Sequence, residues 1–182
     1  MISPARTKIT DAEYGVLGLL ARLGESSGYD LARCARQNVD LILAPAKSRI
    51  YAVLPRLEQR GLVSRREVEQ TGRPDKQLYR LTTAGREALD DWLNETGETT
   101  TLDQLLLKLF FGERADRAAL LEQVRAFGDR KRQELAVLEG HAEHNRAAPD
   151  GFFRNLTVAC GLVLAEASIR WADDTAVALE GR

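Results

Sequence analysis

Apolar positions in the first sixty residues recur at helical spacing, then alternate for about twenty residues, then return to helical spacing. TDAEYGVLGLLARLG (10–24) opens with Thr10 followed three residues on by Glu13, a capping-box start, and its apolar face is Tyr14, Leu17, Leu20 and Ala21. GESSG reads as a turn. GYDLARCARQNVDLI predicts a second helix with Leu31, Cys34 and Ala35 inward. After LAPAK, where Pro45 suits a first helical turn, SRIYAVLPRLEQRG (48–61) predicts a third. Ile50, Leu54 and Leu57 fall at i, i+4, i+7 with Val53 beside them, and Gly61 is a stop signal. Pro55 interrupts this helix, removes its bond to the carbonyl of Tyr51 and costs about 3 kcal/mol.

LVSRREVEQ (62–70) and QLYRL (77–81) alternate and carry β-branched or aromatic residues, with the turn TGRPDK between them. They predict a β-hairpin. Thr82 or Thr83 then caps TAGREALDDWLNE, a helix with Leu89, Trp92 and Leu93 inward. Three helices, a hairpin and a helix are the element order of a winged helix-turn-helix.

Polar ETGETTT (95–101) marks a boundary between residues 1–95 and residues 101–182. Thr101 and Gln104 start another helix. A proline-free run follows, in which Leu121, Val124, Gly128, Lys131, Leu135, Leu138 and Ala142 step by three and four. A final helix from about Phe152 to Ala178 repeats the step at Phe153, Leu156, Cys160, Val163, Ala167 and Arg170. Two long helices joined by the short break AAPDG predict an antiparallel pair. Its apolar stretch NLTVACGLVLAEASI (155–169) reads as a buried helix. A roughly 45 Å helix is too long for a compact domain to cover alone, so a symmetric homodimer through the C-terminal helices is expected. The predicted fold class is mainly α with a small β-hairpin wing: an N-terminal winged helix-turn-helix and a C-terminal antiparallel long-helix dimerisation domain.

Charge sharpens this division. Residues 1–90 carry 15 Lys and Arg against 11 Asp and Glu, whereas residues 91–182 carry 11 against 16. A basic first half suits a polyanion partner. Cys34 and Cys160 are far apart and form no CxxC, which suits a reducing cytoplasm and argues against a zinc site or disulfide framework. The start, MISPARTKIT, lacks a signal-peptide core, and no uninterrupted apolar run reaches the roughly 18 residues of a membrane span. No membrane partner is expected.

In a winged helix-turn-helix the third helix enters the major groove of double-stranded DNA, and the wing touches an adjacent groove or the backbone. Here Ile50, Val53, Leu54 and Leu57 supply the core side of that helix; Lys47, Ser48, Arg49, Tyr51 and Arg56 supply donors. An arginine in the first turn can hold guanine O6 and N7 bidentately. Ser48 and Tyr51 suit phosphate oxygens. In the wing, Arg73 sits at the tip between Gly72 and Pro74, with Lys76 close by, placed to enter a narrow minor groove. Arg65, Arg66, Arg80 and Arg86 read as a solvated face.

ITDAEYGVLGLL (9–20), SGYDL (27–31), SRIYAVLPRLEQRGLVSRR (48–66), GRPDKQLYRLT (72–82) and TAGREAL (83–89) resemble, in order and spacing, the PadR family of bacterial transcriptional regulators. The second half resembles the longer helical dimerisation domain of that family in layout. The resemblance implies a dimeric, sequence-specific DNA-binding regulator, a repressor or activator, often responsive to a small molecule. It adds Tyr29 to the DNA-facing positions, beside Ser48, Arg49, Tyr51, Arg73 and Lys76. One departure is that many members carry a proline directly after the Ile-Tyr pair, where this chain has Ala52 and places its proline at Pro55.

Two other classes compete. An enzyme is disfavoured: His141 and His144 are the only histidines, and there is no P-loop, GxGxxG or GxSxG, so neither catalytic residues nor a cofactor are expected. Glu139 and Glu143 flank the histidines, but a polar helix end explains all four. The alternative is a winged-helix scaffold acting as a protein- or ligand-binding module without operator recognition. For an effector, apolar or aromatic, the candidate walls are Trp92, Phe110, Phe111, Phe153 and Trp171, with Glu166 as a lone charge that Arg170 at i+4 can pair. Such a ligand is expected between the domains or at the dimer interface.

Overall fold

Thr10 begins the first helix, α1 (Asp11–Leu23), through the reciprocal cap its spacing to Glu13 predicts. In the computed structural model, which describes residues 8–38, 47–69, 76–97, 100–147 and 151–181, the Thr10 amide donates to Glu13 Oε2 at 2.8 Å and the Glu13 amide to Thr10 Oγ1 at 3.3 Å. The remaining elements of the winged domain are β1 (Ser26–Ser27), α2 (Gly28–Asn38), α3 (Lys47–Gln59), β2 (Val63–Val68), β3 (Lys76–Leu81) and α4 (Thr83–Asn94). The helices beyond are α5 (Leu102–Phe110) and the long α6 (Arg117–Ala147) and α7 (Gly151–Glu180), with a 3-10 turn at Gly112–Arg114.

The hairpin forms in the predicted alternation, Ser64 opposite Arg80 and Arg66 opposite Leu78. GESSG is more than a turn: Ser26 and Ser27 pair with Tyr79 and Leu78, giving a three-stranded antiparallel sheet in the order β1-β3-β2. A two-residue strand of serines leaves no alternation to read. Val63, Tyr79 and Leu81 turn inward and meet Leu17, Leu20, Leu31, Ile50, Leu54, Leu57, Leu89 and Leu93, all buried. The α3 helix ends as its Gly61 predicts. Leu62 N–H reaches Leu57 O and Gly61 N–H reaches Glu58 O, both at 2.9 Å, with Gly61 at φ 70. That is a Schellman cap, and its left-handed residue is glycine because a Cβ there is strained. Pro55 lies inside α3 on its exposed side, and the helix runs on through it to Gln59. Arg60, just past α3, donates to the buried Glu13 at 3.3 Å and ties the end of α3 to the start of α1.

The chain forms two compact units, one of residues 1–94 with 106–114, the other of residues 95–105 with 115–182. The sequence pattern groups 106–114 with the C-terminal helices. They instead pack in the first unit, because the glycine surface of α1 receives them: Phe111 covers Gly18 and Leu107 covers Gly15.

In the second unit the Thr101–Gln104 cap starts α5, both bonds at 3.2 Å. Arg130 holds the carbonyl of Thr100 at 2.6 Å. α6 and α7 form an antiparallel hairpin: Phe127 meets Trp171 edge-on, Gly128 faces Ala172, and Leu138 faces Gly161. The α6 positions of the predicted seam, Leu121 to Ala142, are buried or half-buried. On α7 the predicted stripe Phe153–Leu156–Cys160–Val163–Ala167–Arg170 does not pack on α6 and is exposed throughout. A second stripe does that work: Gly151, Asn155, Val158, Leu162, Ala165, Ile169, Ala172, Ala176 and Leu179, none of them exposed. It has the same three-four step but smaller side chains, which let the helices approach. The expected burial of 155–169 therefore does not hold within one chain. By length and composition α7 is also apolar enough to cross a membrane, with an 18-residue window of mean hydropathy 1.4. Its charges interrupt every long apolar run, and so the run-length criterion passes over it.

Candidate nucleic-acid interface

The face of α3 opposite Ile50, Val53, Leu54 and Leu57 carries Arg49, Tyr51, Ala52, Pro55, Arg56 and Gln59, all exposed. Arg49 and Arg56 have no ion-pair or hydrogen-bond partner for their guanidiniums among the described residues. Each keeps its fork of five donors for a ligand. Lys47 and Ser48 form the first turn of this helix.

Tyr51 and Tyr29 bring α2 to the same surface. A Cβ on Gly28 would stand 2.8 Å from Tyr51 Cε1, so the ring rests on bare backbone at the start of α2. Tyr51 remains 47% exposed, and Tyr29, next along α2, 52%. The Arg33 guanidinium lies 5.9 Å from the Tyr29 ring centroid, within cation–π reach. The sequence pattern does not single out Arg33, although its i+4 spacing from Tyr29 places it on the same helical face.

Asp30 joins this surface to the wing. Its carboxylate accepts from Ser27 Oγ at 2.6 Å and from Lys76 Nζ at 3.1 Å, and pairs with Arg33 at 3.4 Å. The Ser27 hydroxyl, then Lys76, hold the Asp30 carboxyl below its usual range despite partial burial. Lys76 is thus an anchored cation at the base of β3. Arg73 lies outside the described residues. The arginines expected to be merely solvated are mostly engaged: Arg65 with Glu58 at 3.2 Å, Arg66 with Glu25, and Arg80 Nε with Ser64 Oγ at 3.1 Å.

An amphipathic third helix, a neighbouring tyrosine pair and an anchored wing lysine are now in place, and comparison with known proteins assigns the fold a family. Residues 16–91 match the Transcriptional regulator PadR-like family, and residues 103–180 match Virulence activator alpha C-term. A Mycobacterium tuberculosis protein named "Probable transcriptional regulator Rv1176c" is 30% identical over 172 residues, 85% of this chain and 90% of that one. The chain belongs to the PadR-like family of transcriptional regulators. The Bacillus subtilis "Negative transcriptional regulator PadR" is 29% identical over 140 residues, 76% of each chain. A crystal structure of Bacillus subtilis PadR in complex with operator DNA aligns with TM-score 0.47 and 26% identity, covering 93% of this chain and 99% of that one.

In this PadR-like chain the six candidate effector residues sit in different surroundings. Trp92 is buried and stacks on Tyr14, centroids 4.3 Å apart and planes 9° apart, with Lys108 Nζ 5.2 Å from its ring. Phe111 is buried against Gly18, and Phe110 stands edge-on to it beneath Arg22. In the second unit Trp171 is half-buried on Phe127. Phe153 is 78% exposed. Glu166 is exposed as well and forms no ion pair with Arg170 among the described residues, because a solvated carboxylate needs none. His141 and His144 are exposed on the last turns of α6.

Proposed function

We propose that this PadR-like regulator binds an operator on double-stranded DNA as a homodimer and acts in the cytoplasm as a repressor rather than as an enzyme. The observation that carries the reading is the pair Arg49 and Arg56, without partners among the described residues, on the exposed face of a helix whose other face is core. Lys47, Ser48 and Arg49 begin that helix, where base edges are reached. Tyr51 and Tyr29 face phosphates, and Lys76 and Arg73 belong to the wing. Residues 1–95 bind DNA, and residues 101–182 dimerise. The exposed apolar stripe of α7 supports the second role, since its large side chains point away from α6 and a second copy can cover them. The name of the Bacillus subtilis relative, a negative regulator, favours repression. An apolar or aromatic effector near Trp92, Phe110 and Phe111 or along the dimer seam would alter the spacing of the two recognition helices.

The test is binding to the DNA flanking the chain's own gene. Affinity falls roughly 10³–10⁵-fold between 50 and 200 mM salt if about 6–10 phosphates are contacted. Arg49→Ala costs about 1–3 kcal/mol and relaxes base preference. Parental affinity and preference in that variant would place recognition elsewhere, and salt-independent weak binding would favour the scaffold alternative.

A further inference from the structure

The sheet has a second face that DNA recognition leaves unused. Ser64 and Arg80 are directly paired across β2 and β3 and so share one side, opposite that of buried Val63 and Tyr79. At the end of that side, where the core residues Leu20 and Leu81 also border it, a cavity of about 580 Å³ opens between the sheet, the end of α1 with the turn that follows, and the first turn of α4. Its polar lining comes from Glu25, Ser64, Arg80, Thr83 and Arg86.

The charges do not cancel. Both oxygens of Glu25 are occupied by Arg66, one of them by its Nε at 2.7 Å, so this carboxylate is neutralised from outside the cavity. Arg80 gives its Nε to Ser64 Oγ and lies in the field of Glu25, but both its terminal amino groups remain without a hydrogen bond among the described residues. Arg86 has no side-chain partner among the described residues, and its position at the start of α4 points its chain into the same space. Two guanidiniums with unspent donors therefore border one cavity whose single acid is already paired. A planar fork of N–H groups matches an oxyanion bidentately. The volume falls within the roughly 300–1,000 Å³ of small-molecule sites.

We propose that this cavity is a phosphate-group site, in which Arg80 and Arg86 hold a dianionic phosphate with the Thr83 hydroxyl beside it. Two positive charges match the charge of a phosphomonoester near neutral pH. The phosphate can come from a free phosphorylated small molecule or from a backbone phosphate of DNA flanking the operator. The site differs from the α3 surface in both residues and face.

Calorimetry of the full chain without DNA, with inorganic phosphate and with phenyl phosphate, tests the site independently of operator binding. Saturable binding of one phosphate per chain is expected. Arg86→Gln and Arg80→Gln are expected to weaken it at least tenfold, and Arg125→Gln, in the other unit, to leave it unchanged. Arg86 makes no side-chain bond among the described residues, so its variant is expected to retain the parental circular dichroism and melting temperature. A second arm separates the sources. If flanking DNA supplies the phosphate, Arg86→Gln weakens duplex binding, lowers the salt slope by about one, and phosphate competes with DNA. If a free ligand supplies it, Arg86→Gln binds duplex like the parent. Unsaturable binding, or parental phosphate affinity in a folded Arg86→Gln and Arg80→Gln pair, overturns the proposal.

Discussion

Gly28→Ala isolates the contact that seats Tyr51. The added carbon would stand 2.8 Å from Tyr51 Cε1, 3.2 Å from Cδ1 and 3.4 Å from Leu54 Cδ1. Carbon pairs settle at about 3.5–4.0 Å, so the ring must move by roughly 1 Å while Leu54 barely shifts. Tyr51 is about half exposed and can move outward without opening a cavity. The cost stays at the low end of the ~1–3 kcal/mol of overpacking, and replacing a glycine whose backbone an alanine can adopt returns about 0.4–1 kcal/mol by restricting the unfolded chain. Folding stability is therefore expected to change by less than about 1 kcal/mol. If Tyr51 holds a phosphate as proposed, DNA affinity responds differently: a displaced hydroxyl loses that partner, worth about 0.5–1.5 kcal/mol, or roughly two- to tenfold in affinity. The assay is a double-mutant cycle by fluorescence anisotropy with parent, Gly28→Ala, Tyr51→Ala and the double variant. Gly28→Ala should have no further effect once Tyr51 is gone. Equal weakening in both backgrounds would refute the seating argument, as would a large fall in melting temperature with affinity intact.

Leu164, 62% exposed on the outer side of α7, tests assembly. Leu164→Glu removes about 1.5–3 kcal/mol of burial from each copy and should weaken a symmetric dimer roughly 10²-fold or more, with helix content kept; an unchanged mass in light scattering would exclude that face. The Asp30 carboxyl is depressed in the folded chain, so the stability it lends is present above its unfolded value, about 3.9, and is lost as pH falls through the lower folded value. A carbon-13 NMR titration should place its inflection below 3.9, with Ser27→Ala raising it more than Lys76→Ala. The opposite order would contradict the hydroxyl's leading role.

Much of the winged domain was legible because its signals are local. Thr10 and Glu13, Thr101 and Gln104, and Gly61 each act within a few residues, and each forms the bond its spacing implies. The inner face of α3 was equally plain, since Ile50, Leu54 and Leu57 recur at one helical period. What escaped depends on residues distant in sequence. Ser26 becomes strand only because Tyr79 lies opposite, and no local pattern announces that. Residues 106–114 side with the first unit because α1 presents glycines to them. On α7 two stripes share one periodicity, and spacing cannot choose between them; side-chain size decides which one meets α6. Among the candidate DNA contacts, spacing found the exposed face of α3, but the ring of Tyr51 on Gly28 and the Asp30 bridge to Lys76 required the third dimension.

The antiparallel fit of α6 and α7 also limits how this regulator's length can vary. Each added residue turns the rest of a helix by about 100°, so one insertion in α7 would swing the stripe holding Ala165 and Ala172 off its partner and bring Leu164 and Trp171 into their places, Trp171 against Gly128. Only lengthening by whole heptads, matched on both arms, keeps the small side chains inward and the large ones outward. Length differences between natural relatives in this hairpin are therefore expected in steps of about seven residues per arm, whereas the connection between the arms is free to change one residue at a time.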